Sequence, residues 1–264
     1  MSRLIDSLRE PMLDSLDVDG DARINLHREI LSNKKMLKLV FAEIHSELHR
    51  LAEDNFDVEG IELELGAGVA PMKDTFPEVL ATDIVKADHL DRVLDAQNMD
   101  LESDSVRVFY GQNCFHHFPE PVKFFEELDR VLKPGGGAII LEPYFGPFAG
   151  FVYKRLFSTE GFDKDYPDWE TPITGPMNGA NQALSYLVFH RDREKFTRMF
   201  PNLEIVEEKI LKNYLKYLLS GGLNFRQLIP NALTGVVSAI ETIASPLKPM
   251  FGLHHITVLR KARN

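Results

Sequence analysis

The stretch Ile61-Glu62-Leu63-Glu64-Leu65-Gly66-Ala67-Gly68 decides the fold. IELEL (61–65) alternates bulky apolar and acidic residues, as a strand does. The Gly-Ala-Gly turn at 66–68 lacks the Cβ atoms that would stop the backbone bending sharply and approaching a ligand. A helix is expected next, over about 69–76, with its first N–H groups free for a ligand. Taken alone this is a weak signal, because bare glycine turns between strand and helix are common. A dinucleotide-binding turn would carry a third glycine three residues after Gly68. Pro71 stands there, which disfavours a pyrophosphate site and a nicotinamide oxidoreductase.

Downstream of the turn, short apolar runs alternate with helical patterns. VLATDI (79–84), RVLDA (92–96), SVRVFYG (105–111) and AIILEP (138–143) read as strands. A helix over 119–132 places Phe124, Phe125, Leu128, Val131 and Leu132 on one face, and Lys133-Pro134-Gly135-Gly136 is expected to stop it. Such alternation predicts an α/β fold, a parallel sheet wound on both sides. Upstream, Ile24–Leu51 is one amphipathic helix, or two with a break near Asn33. Beyond 143, residues 187–200 read as helix, LEIVEEKIL (203–211) as a strand and HHITVLRKA (254–262) as a final strand. A single domain over 1–264 is expected: a helical cap (1–55), a ligand-binding core (58–143), an aromatic insert (144–186) and an apolar helical insert (214–250).

The chain has 264 residues, 44% hydrophobic and 27% charged, which suits a globular protein. Its net charge of −10, from 40 acidic and 30 basic side chains, comes without a basic stripe, so no nucleic-acid partner is expected. One cysteine excludes a disulfide framework and a Cys-based zinc site, and no metal site is read from the sequence. No apolar stretch reaches the length of a membrane span, and the first residues do not read as a signal peptide. The expected location is the cytoplasm.

Ligands of open α/β sheets bind at the carboxyl ends of the strands. Asp83 ends the second strand, where a carboxylate can accept two hydrogen bonds from a ribose. Asp95-Ala96-Gln97 ends the third strand, and Asn113 follows the fourth.

With these residues in view, the segment from about Ile61 to Pro143 resembles the class I S-adenosylmethionine-dependent methyltransferases of the broad small-molecule type. The resemblance is carried by ELGAG (64–68), ATDI (81–84), LDAQNM (94–99), NCFHHFPEP (113–121) and VLKPGGGAIILEP (131–143), in that order and spacing. One departure is Ala70, where the family commonly has a glycine. The resemblance implies a Rossmann-like seven-stranded sheet, last strand antiparallel, with S-adenosyl-L-methionine as cofactor. It also implies that Gly66, Ala67 and Gly68 pack against the methionine moiety, with Glu64 holding the turn. Asp83, with Ile84 beside it, would take the ribose; Asp95 the adenine amine; Ala96 and Gln97 the adenine flank; and Asn113 the methionine end near the methyl.

The chemistry implied is an in-line displacement at a sulfonium methyl, for which the protein must place the acceptor behind the carbon. An oxygen acceptor calls for a nearby base. His116 and His117 stand at the right turn for that role, or for packing and capping instead; Tyr144, just past the fifth strand, is a further catalytic candidate, and Tyr153 a pocket candidate.

Other segments leave alternatives open. DVDGDARINLHRE (17–29) is spaced like a calcium loop, but Ala22 replaces the turn glycine and Arg28 the bidentate glutamate, so it reads as an acidic cap before a helix. His27 and Arg28 are either a solvated helix face or groups that reach a substrate. The aromatic insert is a lid or a satellite core. The 214–250 insert buries itself, forms a homodimer face or lies on a membrane surface; its scarcity of basic residues argues against the last. This insert, the HREIL helix and SGGLNFRQLIP resemble methyltransferases of bacterial surface-glycan and lipopolysaccharide biosynthesis. The expected function is methyl transfer to oxygen of a small molecule or glycan intermediate. The alternatives are a quinone or lipid-like acceptor, and cofactor binding without turnover.

Overall fold

A computed structural model describes residues 8–13, 22–157, 160–173 and 180–263. The acidic cap at 17–21 lies outside these residues.

Seven strands form one sheet: β1 (Ile61–Leu65), β2 (Leu80–Asp83), β3 (Arg92–Val93), β4 (Val106–Gln112), β5 (Leu132–Pro143), β6 (Leu203–Ile210) and β7 (His254–Lys261). Their order is β3-β2-β1-β4-β5-β7-β6. The first five run parallel, while β7 pairs antiparallel with both β5 and β6. The order reverses between β1 and β4, the crevice where open α/β sheets bind ligands.

Each face of the sheet carries its own core. On one, α3 (Pro121–Val131) buries Phe124, Phe125, Leu128 and Val131 against Phe109, Ala138, Ile140 and Phe189. Pro121 starts this helix at a position where its missing N–H is not needed. On the other face, α2 (Lys35–Asn55) buries Val40, Ile44, Leu48 and Leu51 against Val108, Ile139 and Val258. Strands covered on both sides explain the continuous apolar runs of β4 and β5.

The N-terminal helical pattern divides at Lys34 into α1 (Ala22–Asn33) and α2. Lys34 has left the helical region and points its ammonium inward, to the Gly222 carbonyl oxygen at 2.9 Å and to the Phe225 carbonyl oxygen.

One local expectation is corrected. No α-helix follows the glycine turn; the chain makes only a 3₁₀ turn at Met72–Asp74. Pro71 is extended at φ −65° and ψ 143°, and a residue before proline, here Ala70, is driven out of the helical region. α3 stops at Val131, before Lys133–Gly136, and β5 begins directly at Leu132. Gly136 lets β5 lie close to the Arg107 carbonyl, where a Cβ would collide. Residues 187–200 are helical, as a π-helical stretch at Leu187–Arg191 followed by α5 (Arg193–Met199).

The aromatic insert holds α4 (Pro147–Arg155) and packs as a satellite core. Tyr153 stacks on Phe162 and Phe148 meets Phe251 edge-on. The apolar insert holds α6 (Tyr214–Ser220), α7 (Thr234–Ile243) and α8 (Lys248–Phe251). Among the described residues no helix is long and apolar enough to cross a membrane.

Candidate active site

The turn after β1 and the end of β2 are built as one unit. Gly66 and Gly68 both take positive φ, +61° and +51°, which a side chain would strain. A Cβ on Gly66 would stand 2.6 Å from the Cβ of Cys114. Ala67 donates its N–H to the Thr82 carbonyl at 2.9 Å, and Thr82 Oγ1 donates to the Glu64 carbonyl at 2.7 Å. Asp83 Oδ2 accepts the Gly68 N–H at 3.0 Å, and its Oδ1 accepts the Val85 N–H at 2.9 Å. A carboxylate has about four acceptor positions, so two remain toward the crevice. Ile84, next along, is 55% exposed.

Glu64 is fully buried below the turn and accepts the Met72 N–H at 2.6 Å. Burial drives its carboxyl well above the usual range, with Asp74 and Asp83 adding to the rise. It braces the turn from below. His89 Nε2 reaches the Gly68 carbonyl at 2.7 Å, and Arg28 Nη1 donates to the Val69 carbonyl at 3.0 Å, so α1 is tied over the same turn.

Asp95, Ala96 and Gln97 follow β3 as an Asx turn: Asp95 Oδ1 accepts the Gln97 N–H at 2.9 Å, and Gln97 Oε1 accepts the Glu120 N–H at 2.7 Å. Ala96 is buried. Asn113, after β4, takes φ +51°, a conformation that asparagine tolerates better than most residues. Its N–H donates to the Leu141 carbonyl at 2.8 Å, while its Oδ1 is buried with no hydrogen-bond partner among the described residues.

Past Asn113, the 3₁₀ turn Phe115–His117 presents two histidines. His116 is buried between two carboxylates: Nδ1 lies 2.5 Å from Glu142 Oε2, and Nε2 lies 3.1 Å from Glu160 Oε2. Burial alone would lower its pKa, but Glu142 and Glu160 together hold it up at about 10. The two carboxylates favour the protonated imidazole, which leaves His116 poorly suited as a base. His117 Nε2 stands 4.0 Å from Glu160 Oε1, and its ring lies 4.2 Å from that of His116. Tyr144 is half-buried just past β5, and burial raises its phenol. The Tyr153 hydroxyl donates to the Leu253 carbonyl at 2.6 Å.

Gly66 to Gly68, Asp83, Ile84, Asp95 to Gln97, Asn113, His116, His117 and Tyr144 lie at or just past the carboxyl ends of β1 to β5. Glu142, Glu160 and His89 were missed. Glu142 was visible as the one charge inside an apolar strand, AIILEP. Glu160 lies in the irregular insert, where no periodicity points to it.

Residues 63–140 match the family model described as a methyltransferase domain. No curated protein matches the sequence. Among solved structures, phosphoethanolamine N-methyltransferase 2 of Haemonchus contortus is similar at 14% identity over 95% of this chain and 59% of that one, TM-score 0.49. Geranyl diphosphate C-methyltransferase of Streptomyces coelicolor A3(2) is similar at 12% identity over 93% and 86%, TM-score 0.47. These likenesses speak to fold alone. The matched segment covers β1 to β5, including the glycine turn and Asp83, and the sheet carries the antiparallel seventh strand. The chain therefore contains a class I S-adenosylmethionine-dependent methyltransferase domain, and its activity is that of an S-adenosylmethionine-dependent methyltransferase.

The residues present fit that cofactor. The turn at 66–68 carries no side chain at its two positive-φ glycines, and Asn113 Oδ1 is a buried acceptor without a hydrogen-bond partner among the described residues.

Proposed function

We propose that this enzyme transfers a methyl group to an oxygen of a small-molecule or glycan-intermediate acceptor. S-adenosylmethionine supplies an electrophilic methyl on a sulfonium. In this reading the turn at 66–68 and Asn113 hold the methionine end, Asp83 takes the ribose beside Ile84, and Asp95 to Gln97 flank the adenine. Supporting it are the hydrogen bonds that fix Asp83 to the glycine turn and leave its outer lone pairs for hydroxyls.

On the acceptor side, His116 is a positioning residue, since Glu142 and Glu160 favour its protonated form. His117 receives the acceptor proton, and Tyr144 lines the approach. One observation carries the preference for an oxygen acceptor: this polar cluster begins only three residues beyond Asn113 in the chain. The rings of the aromatic insert are spent on one another, which weakens the quinone or lipid-like reading.

The face of α7 and its flank exposes Val236, Ile240, Ile243 and Leu247, while the one charge from 228 to 245, Glu241, is buried against Lys216. An uncharged apolar face of this kind favours a second copy of the chain over an anionic membrane. Sedimentation of the protein and of Ile243→Lys tests this: a dimer converted to monomer is expected.

Calorimetry with S-adenosylmethionine, followed by product mass analysis against hydroxylated acceptors, tests the activity. Binding without a methylated product on any hydroxyl, but with one on nitrogen or carbon, would reject the oxygen assignment.

A further inference from the structure

The cluster that follows β4 has a feature that methyl transfer does not require. One ring nitrogen of His116, one of His117 and a Glu160 carboxylate oxygen all lie within 4.8 Å of one another. Ligands about 2.1 Å from a small divalent ion stand roughly 3 to 3.4 Å apart when adjacent and about 4.2 Å apart when opposite. His116 Nε2 lies 3.1 Å from Glu160 Oε2 and His117 Nε2 lies 4.0 Å from Glu160 Oε1, so each imidazole faces its own oxygen of one carboxylate at a separation an ion can bridge.

A second feature is independent of those distances. Glu142 is fully buried and clamps His116 from behind: its Oε2 receives Nδ1, and its Oε1 accepts the Phe115 N–H at 2.8 Å. A buried carboxylate on the far nitrogen fixes the tautomer and raises the donor strength of a metal-ligating histidine. With Nδ1 assigned to Glu142, Nε2 is the atom turned toward Glu160 and His117. Asn181 and Gln182 join the two segments: the Asn181 backbone N–H donates to the His116 carbonyl at 3.3 Å, and the Gln182 side-chain Nε2 donates to the Glu160 carbonyl at 3.0 Å. Side-chain exposure rises from 3% at His116 to 13% at His117 and 23% at Glu160, so the cluster opens on the Glu160 side.

We propose that His116, His117 and Glu160 bind one divalent cation of the first transition row, oriented from behind by Glu142. Two imidazoles and one carboxylate suit zinc, iron, cobalt or manganese and leave coordination positions open. Magnesium and calcium ask for oxygen donors throughout and are poorly served. With the ion bound, His117 is a ligand rather than the base of the proposed function, and an acceptor oxygen on an open position would be activated by the ion instead. That last step rests on the proposed function; the ion site itself does not.

The test uses the full chain, stripped with a chelator and titrated calorimetrically with Zn²⁺, Mn²⁺ and Co²⁺ in the absence of cofactor. One ion per chain is expected, with a visible absorption band for bound Co²⁺. Glu142→Gln should weaken binding about 10- to 100-fold, the usual effect of losing an outer partner. Glu160→Gln and His117→Gln should weaken it further and abolish the Co²⁺ band. Binding of S-adenosylmethionine reports that each variant is folded, and the Co²⁺ band separates a true site from loss of fold. No uptake by the wild type, or equal uptake by Glu160→Gln and His117→Gln, overturns the proposal. Metal uptake without S-adenosylmethionine binding would leave it standing and reject the cofactor site instead.

Discussion

Asp83 Oδ2 accepts the Gly68 N–H at 3.0 Å, so the end of β2 and the turn after β1 are one hydrogen-bonded piece. The same carboxylate holds the Val85 N–H through its other oxygen. Asp83 is thus fixed in position before any ligand arrives. Asp83→Ala should weaken S-adenosylmethionine binding about 100-fold or more, since charge-assisted hydrogen bonds to two hydroxyls are lost. Asp83→Asn keeps one acceptor oxygen and should fall between the two. Calorimetric titration of the three proteins measures the order; equal affinities would move the ribose elsewhere.

Gly66 has a narrower constraint. Its φ of +61° is costly for any residue with a Cβ, and that Cβ would meet Cys114 at 2.6 Å. Gly66→Ala should destabilise the protein by about 1–3 kcal/mol and reduce cofactor affinity at the same time. Gly66→Ala combined with Cys114→Gly removes the clash but keeps the strain. Denaturant melts of the single and double variants should show partial recovery of stability.

Acid sensitivity follows from three buried histidines. Burial lowers His45 and His254 to about 4 and His255 to about 3, from the ordinary 6.5. For His254 the neighbouring His116 adds to the fall, and for His255 His190 and His254 do. Their folded-state values lie below the unfolded one, so the unfolded chain binds more protons between about pH 6.5 and 4. Stability is fully present above pH 6.5 and is lost as pH falls through that window. Thermal melts should show Tm dropping by on the order of 10 °C from pH 7 to pH 4.5. His255→Asn, keeping a polar partner for Ser185, whose Oγ lies 3.0 Å from His255 Nε2, should flatten part of that slope.

The legible parts of this fold were those with a regular period. The strands β1 to β5 and the helix α3 are apolar runs and a 3.6-residue stripe, and the acids and glycines at their ends follow from where parallel strands stop. Local conflicts were less legible. Pro71 cancels the helix after the turn, and β5 starts directly after α3, with Gly135 and Gly136 inside it. Glu160 was beyond reach for another reason: 44 residues separate it from His116, inside a segment whose path is set by aromatic packing rather than by any repeat.

Lys34 shows how far the cap and the site depend on each other. Its buried ammonium donates to the Gly222 carbonyl at 2.9 Å and to the Phe225 carbonyl, and pairs with Glu10 at 3.3 Å. Burial pulls its pKa down, against the opposing pull of Glu10. Lys34→Met leaves two carbonyls and a partly buried carboxylate without their donor, a loss of about 2–4 kcal/mol. Because α1 ends at this residue and reaches the glycine turn through Arg28 and the Val69 carbonyl, the damage should spread. Cleavage by a protease near residues 22–34 should speed up, and S-adenosylmethionine should bind several-fold more weakly although nothing it touches has changed. Arg28→Ala should give the same weakening of cofactor binding with a much smaller loss of stability. If Lys34→Met melts early yet binds the cofactor as tightly as the wild type, the cap and the glycine turn are energetically separate.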